Sequence, residues 1–241
     1  KYRILDLTGS DLNRWAAFNI ETIEGYHPAK LKNYNEFIRN NKGYNYSLLY
    51  SANVKYVISR QQYSNDYLKK MKMYYFGSDD NIDGTLIDVY IYKIDDYYPR
   101  IFFVENIIFD DSFDSILNKV KNQYFDPKKI SYLDTSNYSN NLIAKLNKIK
   151  YDPSSYSKIK NWSPDEITIN INSNSSQFLF LSEVYYPGWK TNIDADILEV
   201  NGLFRGLVVP GGNYDLIIEF NSNDILFGYI FHLIAFIVIF I

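Results

Sequence analysis

The sequence predicts an α+β fold: an N-terminal α/β unit, then an all-β sandwich-like domain, then the beginning of a C-terminal transmembrane helix. Helix and strand patterns alternate up to residue 133, strand patterns alone occupy the later part, and the last seventeen residues carry no charge. We therefore divide the chain into 1–133 (α/β unit), 134–160 (linker), 161–222 (β-sandwich domain) and 225–241 (start of the membrane helix).

The N-terminal unit combines short strands with two amphipathic helices. Pro28 suits a first helical position, and apolar residues then recur at helical spacing from Leu31 to Ile38, until Asn40, Asn41 and Gly43 end the pattern. Ser112 precedes the apolar stripe of a second helix that starts at Phe113. The predicted strands are Tyr2–Leu7, Val54–Ile58, Leu86–Ile94, Ile101–Val104 and Ile130–Leu133.

The segment 134–160 is rich in Asn, Ser, Lys and Tyr, which indicates a linker, with one helical turn over Leu142–Ile149. Strands only are predicted beyond it. Asn201-Gly202 predicts a two-residue hairpin turn, because both central positions of that turn need positive φ. The strands of this region are Ile167–Ile171, Phe178–Leu181, Ile197–Val200, Leu203–Val209 and Tyr214–Phe220.

The apolar run Ile225–Ile241 predicts the start of a membrane helix, and we expect it to be cut before its end, because a spanning helix needs about 20 apolar residues. No Lys or Arg follows Arg205. Basic residues collect on cytoplasmic flanks, so a flank without them favours the outside of the cell. We therefore expect the folded region to be extracytoplasmic.

Composition excludes several classes of function. A net charge of −3 provides no basic field for a phosphate polymer, so no nucleic-acid partner is expected. The chain has no Cys, and its two histidines, His27 and His232, are 205 positions apart, so no metal site is expected. Nucleotide-loop, dinucleotide and Ser-hydrolase motifs do not occur, and no cofactor is predicted.

Two segments, Leu181–Lys190 with Pro187-Gly188-Trp189 and Asn201–Gly212, resemble the C-terminal extracytoplasmic region of the YfhO-type bacterial membrane proteins, which have a GT-C-like architecture. Upstream segments are similar to that family in the same order, and the resemblance covers most of the chain. These segments are Tyr2–Asp6, Gly25–Leu31, Asn53–Ile58 and Pro99–Val104.

The resemblance implies a multi-spanning glycosyltransferase-like protein of the bacterial plasma membrane. It would transfer sugars from a polyprenyl-phosphate carrier to a cell-envelope polymer such as lipoteichoic acid, and this part would shape the acceptor groove or brace the helices. In GT-C architectures the catalytic carboxylate usually lies in an early loop that this sequence does not include, so no catalytic residue is assigned. The implied partners are the lipid bilayer, the polyprenyl-phosphate sugar and the envelope glycopolymer.

The alternative is a non-enzymatic, membrane-anchored ectodomain that binds carbohydrate or a partner. The sequence upstream distinguishes the two: about a dozen spans with an early loop Asp or Glu favour the enzyme, and a lone signal peptide favours the alternative.

Six residues are candidate contacts for a glycan or a lipid headgroup. Tyr185, Tyr186 and Trp189 form either a packed cluster at a strand end or a platform for sugar or headgroups. Arg205 either faces a phosphate or pairs with Glu183 or Glu199. The other two candidates, His27 and Lys30, lie in the segment Gly25–Leu31. His27 either caps or hydrogen-bonds a loop, or it has a functional role that the resemblance to the family implies.

Overall fold

The structure is a computed structural model that describes residues 1–9, 13–24, 31–41, 46–62, 71–80, 86–122 and 124–221, together with helical positions 228, 231–233 and 235–236. Within these ranges the fold is mixed α+β with several β-sheets, as the sequence predicts.

The described part of the chain contains four α-helices and fifteen strands. The helices are α1 (Lys32–Asn41), α2 (Tyr46–Ser51), α3 (Phe113–Val120) and α4 (Asn140–Leu146), with 3₁₀ helices at Arg14–Phe18 and Thr135–Asn137. The strands are β1 (Arg3–Asp6), β2 (Glu21–Thr22), β3 (Val54–Ser59), β4 (Met71–Asp80), β5 (Leu86–Ile94), β6 (Ile101–Phe103), β7 (Asn106–Asp110), β8 (Ile130–Asp134), β9 (Tyr156–Trp162), β10 (Glu166–Ser173), β11 (Gln177–Val184), β12 (Trp189–Thr191), β13 (Leu198–Val200), β14 (Phe204–Val209) and β15 (Gly212–Phe220).

The first sheet is mixed, with strand order β2-β1-β3-β5-β4. Strand β1 runs parallel to β2 and β3, whereas β5 pairs antiparallel with β3 and β4. Side chains alternate along a strand, so Leu5 and Val57 point to one face of this sheet and Ile4 and Ile58 to the other. Leu5 and Val57 belong, with Phe37 of α1, to the largest buried apolar cluster, which we call the main core. We refer to the face of Ile4 and Ile58 as the outer face of the first sheet.

Two four-stranded sheets form a sandwich, with strand orders β12-β15-β10-β9 and β13-β14-β11-β6. Their inner faces share a core to which Ile169 and Leu216 contribute from one sheet and Leu179 and Leu207 from the other, all fully buried. Strand β6 pairs with β11, so the sandwich includes a strand from the predicted N-terminal unit. The main core likewise contains residues from both predicted domains, and the division into domains stays a prediction.

A small βαβ unit joins the two regions. Strands β7 and β8 are parallel, and α3 lies between them in the chain. The hydroxyl of Ser112 accepts a hydrogen bond from the Ser115 amide and caps α3, as the sequence predicts. Asn201 then links this unit to the sandwich, since its side-chain oxygen accepts from the Tyr132 amide at 2.7 Å.

Most predicted elements are present within a few residues of their expected ends. Asn201 and Gly202 have φ of 55° and 71°, as the predicted turn requires. The predicted two-residue length is wrong, because Val200 pairs with Phe204 and three residues therefore connect the two strands. Five strands have no predicted counterpart, namely β2, β4, β7, β9 and β12, and β9 begins inside the predicted linker. Its solvent-side positions are polar and the strand exists through pairing with β10, which explains the missed prediction.

No helix in the described ranges is long and apolar enough to cross a membrane, and the transmembrane helix stays a prediction. Positions 231–233 and 235–236 are helical. Phe231, Leu233 and Phe236 are all exposed.

Candidate functional site

One end of the sandwich gathers the aromatic residues singled out in the sequence. Trp189 of β12 pairs with Phe220 of β15. Ile167 of β10 pairs with both Trp162 and Ile218, so Trp162 lies at the same end of this sheet. We refer to Trp162, Tyr186, Trp189 and Phe220 as the aromatic end.

Within the aromatic end, Phe220 is in contact with two other rings. Its ring centroid lies 5.4 Å from that of Trp189 and 6.3 Å from that of Tyr186. Trp189 is half-buried, whereas Tyr186 remains 47% exposed. Phe220 ends β15, so the chain leaves the sandwich here and continues toward the apolar run.

Arg205 is buried beneath the aromatic end. Its guanidinium carbon lies 3.7 Å from the centroid of the Trp189 ring, and its Nε donates a hydrogen bond to the Val184 carbonyl at 2.9 Å. Nη1 has no hydrogen-bond partner among the described residues. Burial lowers the pKa of Arg205 to about 10, against an opposing attraction from Glu183. Within the described residues Arg205 forms no ion pair with Glu183 or Glu199, and its guanidinium is held by the Trp189 ring and the Val184 carbonyl.

A network of charged side chains lies beside Arg205 and ties the first sheet to the sandwich. The carboxylate of Glu183 is 3.0 Å from Nη2 of Arg3 and 2.7 Å from Nε of Arg100. The second contact is an ion pair without hydrogen-bond alignment. Glu21 pairs with the same two arginines, and the Arg100 guanidinium carbon is 4.7 Å from the Trp162 ring centroid. We refer to Arg3, Arg100, Glu21 and Glu183 as the ionic network.

A groove of about 260 Å³ lies between α1 and the segment that follows β11. We refer to it as the Tyr185 groove. Its lining residues are Leu31, Lys32, Asn33, Tyr34, Val184, Tyr185, Pro187, Glu199 and Leu203.

The polar side chains of the Tyr185 groove come from distant parts of the sequence. Asn33 donates from Nδ2 to Oε1 of Glu199 at 2.7 Å. Burial raises the pKa of Glu199, partly offset by that hydrogen bond, and burial also raises the pKa of Tyr185. The groove therefore combines an aromatic hydroxyl, an amide and a carboxylate, which together can exchange hydrogen bonds with neighbouring hydroxyl groups of a ligand.

Four of the six candidate residues lie in two adjoining places. Tyr185 lines the groove, whereas Tyr186, Trp189 and Arg205 belong to or underlie the aromatic end. Val184 connects the two, since it lines the groove and accepts the Arg205 hydrogen bond. The remaining candidates, His27 and Lys30, lie outside the described residues, in the segment that directly precedes Leu31 of the groove.

Sequence reasoning missed Asn33 as a groove residue and the whole ionic network. Charged residues inside apolar strands, such as Arg3, are a usable signal, because buried charges are normally paired. Nothing local identifies the partner, since Arg3 and Glu183 are 180 positions apart. Within the described ranges, no group of three or more His, Asp or Glu is arranged to hold a metal ion.

Comparisons of this chain with family models, curated proteins and solved structures found no match.

Proposed function

We propose that this chain is the extracytoplasmic part of a multi-spanning, YfhO-type membrane protein that transfers sugars from a polyprenyl-phosphate carrier to a cell-envelope polymer. In this proposal the Tyr185 groove holds a sugar of the acceptor polymer, and no residue of the chain is catalytic. The observation that carries the acceptor role is the Asn33–Glu199 hydrogen bond beside Tyr185 in an open groove.

The groove suits a sugar better than an apolar ligand. Carboxylate and amide groups exchange hydrogen bonds with sugar hydroxyls, and the face of an aromatic ring packs on the apolar face of a sugar. Its volume of about 260 Å³ is just below the ~300 Å³ at which sites for drug-sized ligands begin. This size fits one sugar ring or the end of a polymer.

The aromatic end supports a position next to the bilayer. Five residue steps separate Phe220 from Ile225, so at most about 18 Å of extended chain joins the two residues. Trp and Tyr are enriched where proteins meet the membrane–water interface. The exposed rings of Phe231 and Phe236 fit the same placement, because apolar side chains on a helix outside any core need a non-aqueous environment.

The placement outside the cell is testable because the chain contains no Cys. Tyr186→Cys introduces one thiol at an exposed position of the aromatic end. A membrane-impermeant maleimide should label this variant in intact cells as fully as in lysed cells. Labelling that requires lysis would place the aromatic end in the cytosol and contradict the proposal.

The transferase role is tested by envelope glycan analysis. Deletion of the full gene should remove one sugar substituent from an envelope polymer. Glu199→Gln should lower that substitution at least about tenfold, since one charge-assisted hydrogen bond contributes about 1.5–3 kcal/mol and every 1.4 kcal/mol is a factor of ten. Glu166→Gln, at an exposed position of β10, is the matched control and should leave it unchanged. Unchanged glycans in the deletion strain would contradict the transferase.

A second candidate is a non-enzymatic, membrane-anchored ectodomain that binds carbohydrate. The same groove favours it, because Asn33, Tyr185 and Glu199 all belong to this chain and line one groove. Calorimetry with purified lipoteichoic acid separates the candidates. Binding that Glu199→Gln weakens, together with unchanged glycans in the deletion strain, would establish the binding module in place of the transferase.

A further inference from the structure

A cavity of about 530 Å³ lies on the outer face of the first sheet, apart from the Tyr185 groove and the aromatic end. Ile4, Ile58 and Ile91 form its floor, and Trp15 and Phe18 of the first 3₁₀ helix form its roof. Its volume falls within the ~300–1,000 Å³ typical of small-molecule sites. The cavity is therefore large enough for a ligand and is lined almost entirely by apolar side chains.

The roof of the cavity is held in place by one buried carboxylate. Asp6 accepts a hydrogen bond from Nε1 of Trp15 at 2.5 Å and pairs with Nη2 of Arg14 at 3.0 Å. Its other oxygen accepts from both the amide and the hydroxyl of Thr8. Because Asp6 is only 2% exposed, these contacts position the 3₁₀ helix over the sheet and keep the cavity open. The cavity is thus a built feature of the fold.

A cation, Lys55, lies against two of the rings that line this cavity, although Lys55 is not itself a lining residue. The ammonium of Lys55 is 4.7 Å from the ring centroid of Tyr2 and 5.4 Å from that of Tyr56, and both rings line the cavity. The ring of Tyr97 is 5.2 Å away on another side. In the described ranges no carboxylate pairs with Lys55, whereas the Arg14 charge is balanced by Asp6. The local field beside the Tyr2 ring is therefore positive.

The floor of the cavity spans three neighbouring strands, with Ile4 on β1, Ile58 on β3 and Ile91 on β5. Neighbouring strands lie about 4.8 Å apart, so the floor is about 10 Å across. An apolar space of this size with a cation beside it matches a ligand that has a hydrocarbon chain and an acidic head. A sugar would leave its hydroxyls unpaired against Ile4 and Ile58, and burial without hydrogen bonds is unfavourable.

We propose that this cavity binds a single-chain anionic amphiphile, with the hydrocarbon chain between the sheet and Trp15 and the acidic headgroup beside Lys55. This site is separate from the acceptor groove and does not depend on the proposed transferase. A carboxylate and a phosphate monoester share the required chemistry, and the experiment distinguishes them.

The test uses the full chain in phosphatidylcholine nanodiscs. A diazirine-bearing palmitate is bound and irradiated, and the labelled peptides are identified by mass spectrometry. Labels should concentrate on peptides that contain Trp15, Phe18 or Ile91. Competition by unlabelled palmitate and by hexadecyl phosphate then shows which acidic head binds more tightly, and hexadecanol serves as the neutral chain.

Two variants test the two halves of the site. Ile91→Trp fills the cavity and should abolish labelling there. Lys55→Gln should reduce labelling by the palmitate probe about tenfold, the loss expected for one charge-assisted contact, and should leave labelling by a diazirine-bearing hexadecanol unchanged. Lys128→Gln is the matched control, because Lys128 also lies over an aromatic ring, that of Tyr98, at 4.2 Å.

Label confined to the apolar segment 225–241 would overturn the site. Equal binding of hexadecanol and palmitate, unaffected by Lys55→Gln, would overturn the role of the acidic head. If Ile91→Trp loses its near-ultraviolet circular dichroism, this variant is misfolded, and the Lys55→Gln variant alone then tests the proposal. Lys55 is partly exposed and lies outside the cores, so its substitution should not prevent folding.

Discussion

The sandwich and the first sheet use the same strand alternation with different results. In the sandwich, the inner faces of two sheets cover each other, and residues such as Ile169, Leu179 and Leu207 are fully buried. In the first sheet, one face joins the main core, but in the described chain the outer face is covered by a single 3₁₀ helix and retains a cavity of about 530 Å³. An apolar strand face becomes a structural core or a binding site according to what covers it.

The largest expected difference between the regions comes from truncating one apolar side chain in each. Leu179→Ala in the sandwich should lower the free energy of unfolding by about 4 kcal/mol, near the top of the ~2–5 kcal/mol range, because a two-sided core cannot collapse around the gap. Ile58→Ala borders an existing cavity and should cost about 1–2 kcal/mol. Guanidinium unfolding in mild detergent measures both. Equal losses of unfolding free energy in the two variants would contradict the difference between the closed core of the sandwich and the open outer face of the first sheet.

The ionic network joins the first sheet to the sandwich, so its removal tests whether the two regions are coupled. Glu183→Gln should lower the free energy of unfolding by about 3 kcal/mol. The substitution removes the negative charge that pairs with Arg3 and Arg100 at a largely buried position. Glu219→Gln is the control at an exposed position of the same end of the sandwich and should change stability by about 0.5 kcal/mol or less. A loss no larger than that of the control would show that the network does not couple the regions.

Glycine substitutions compare packing with backbone strain. A Cβ at Gly206 would lie 2.6 Å from the Phe178 ring and 2.9 Å from a Val200 methyl group, so Gly206→Ala should cost about 2–3 kcal/mol through overpacking. Gly9 has open space around a Cβ but a φ of +71°, and Gly9→Ala should cost about 1 kcal/mol through strain alone. Thermal unfolding of the two variants checks the order, and a reversed order would contradict the tight packing at Gly206.

The smallest expected effect is a difference in pH dependence. Burial alone would raise the pKa of Asp6, but hydrogen bonds from Thr8 and Trp15 and the charge of Arg14 lower it overall. Stability from Asp6 is therefore full above the unfolded pKa of about 3.9 and is lost as the pH falls below it. Asp6→Asn should remove this acid-side loss and lower stability at neutral pH.

Glu199 in the Tyr185 groove should show the opposite slope. Burial raises its pKa, so its protonated form favours the folded state, and stability decreases as the pH rises from about 4.3 through the folded pKa. Glu199→Gln should remove this decrease and make the protein more stable near neutral pH. Melting temperatures measured from pH 3 to 8 for the wild type and both variants test these expectations. If both substitutions changed the pH dependence of the melting temperature in the same direction, the opposite pKa shifts of Asp6 and Glu199 would be contradicted.

Local patterns were enough to predict much of the secondary structure. The Ser112 cap, the apolar stripe of α3 and the positive φ angles at Asn201-Gly202 each depend on residues a few positions apart, and each is present as predicted. Strands β9 and β12 escaped prediction, because β9 has a polar solvent face and β12 is only three residues long. Both pair with longer neighbouring strands, β10 and β15 respectively.

The candidate site was only partly predictable for the same reason. The aromatic residues around Pro187 predict a candidate site, and in the structure Tyr185 lines a groove. The groove also needs Asn33 and Glu199, which are 166 positions apart and meet only when α1 packs beside β13. For Arg205 the sequence left open a phosphate or a carboxylate partner, and the structure adds a contact that neither alternative includes, the stacking on the Trp189 ring.

The sequence by itself determined which segments alternate as strands, where the chain turns and caps its helices, and that its last seventeen residues are apolar and uncharged, because these properties arise from neighbouring residues. Only the tertiary structure decided which charged side chains are paired and which apolar face stays open. Those outcomes depend on contacts such as Arg3 with Glu183, between residues far apart in the chain, and on the 3₁₀ helix that Asp6 holds over the first sheet.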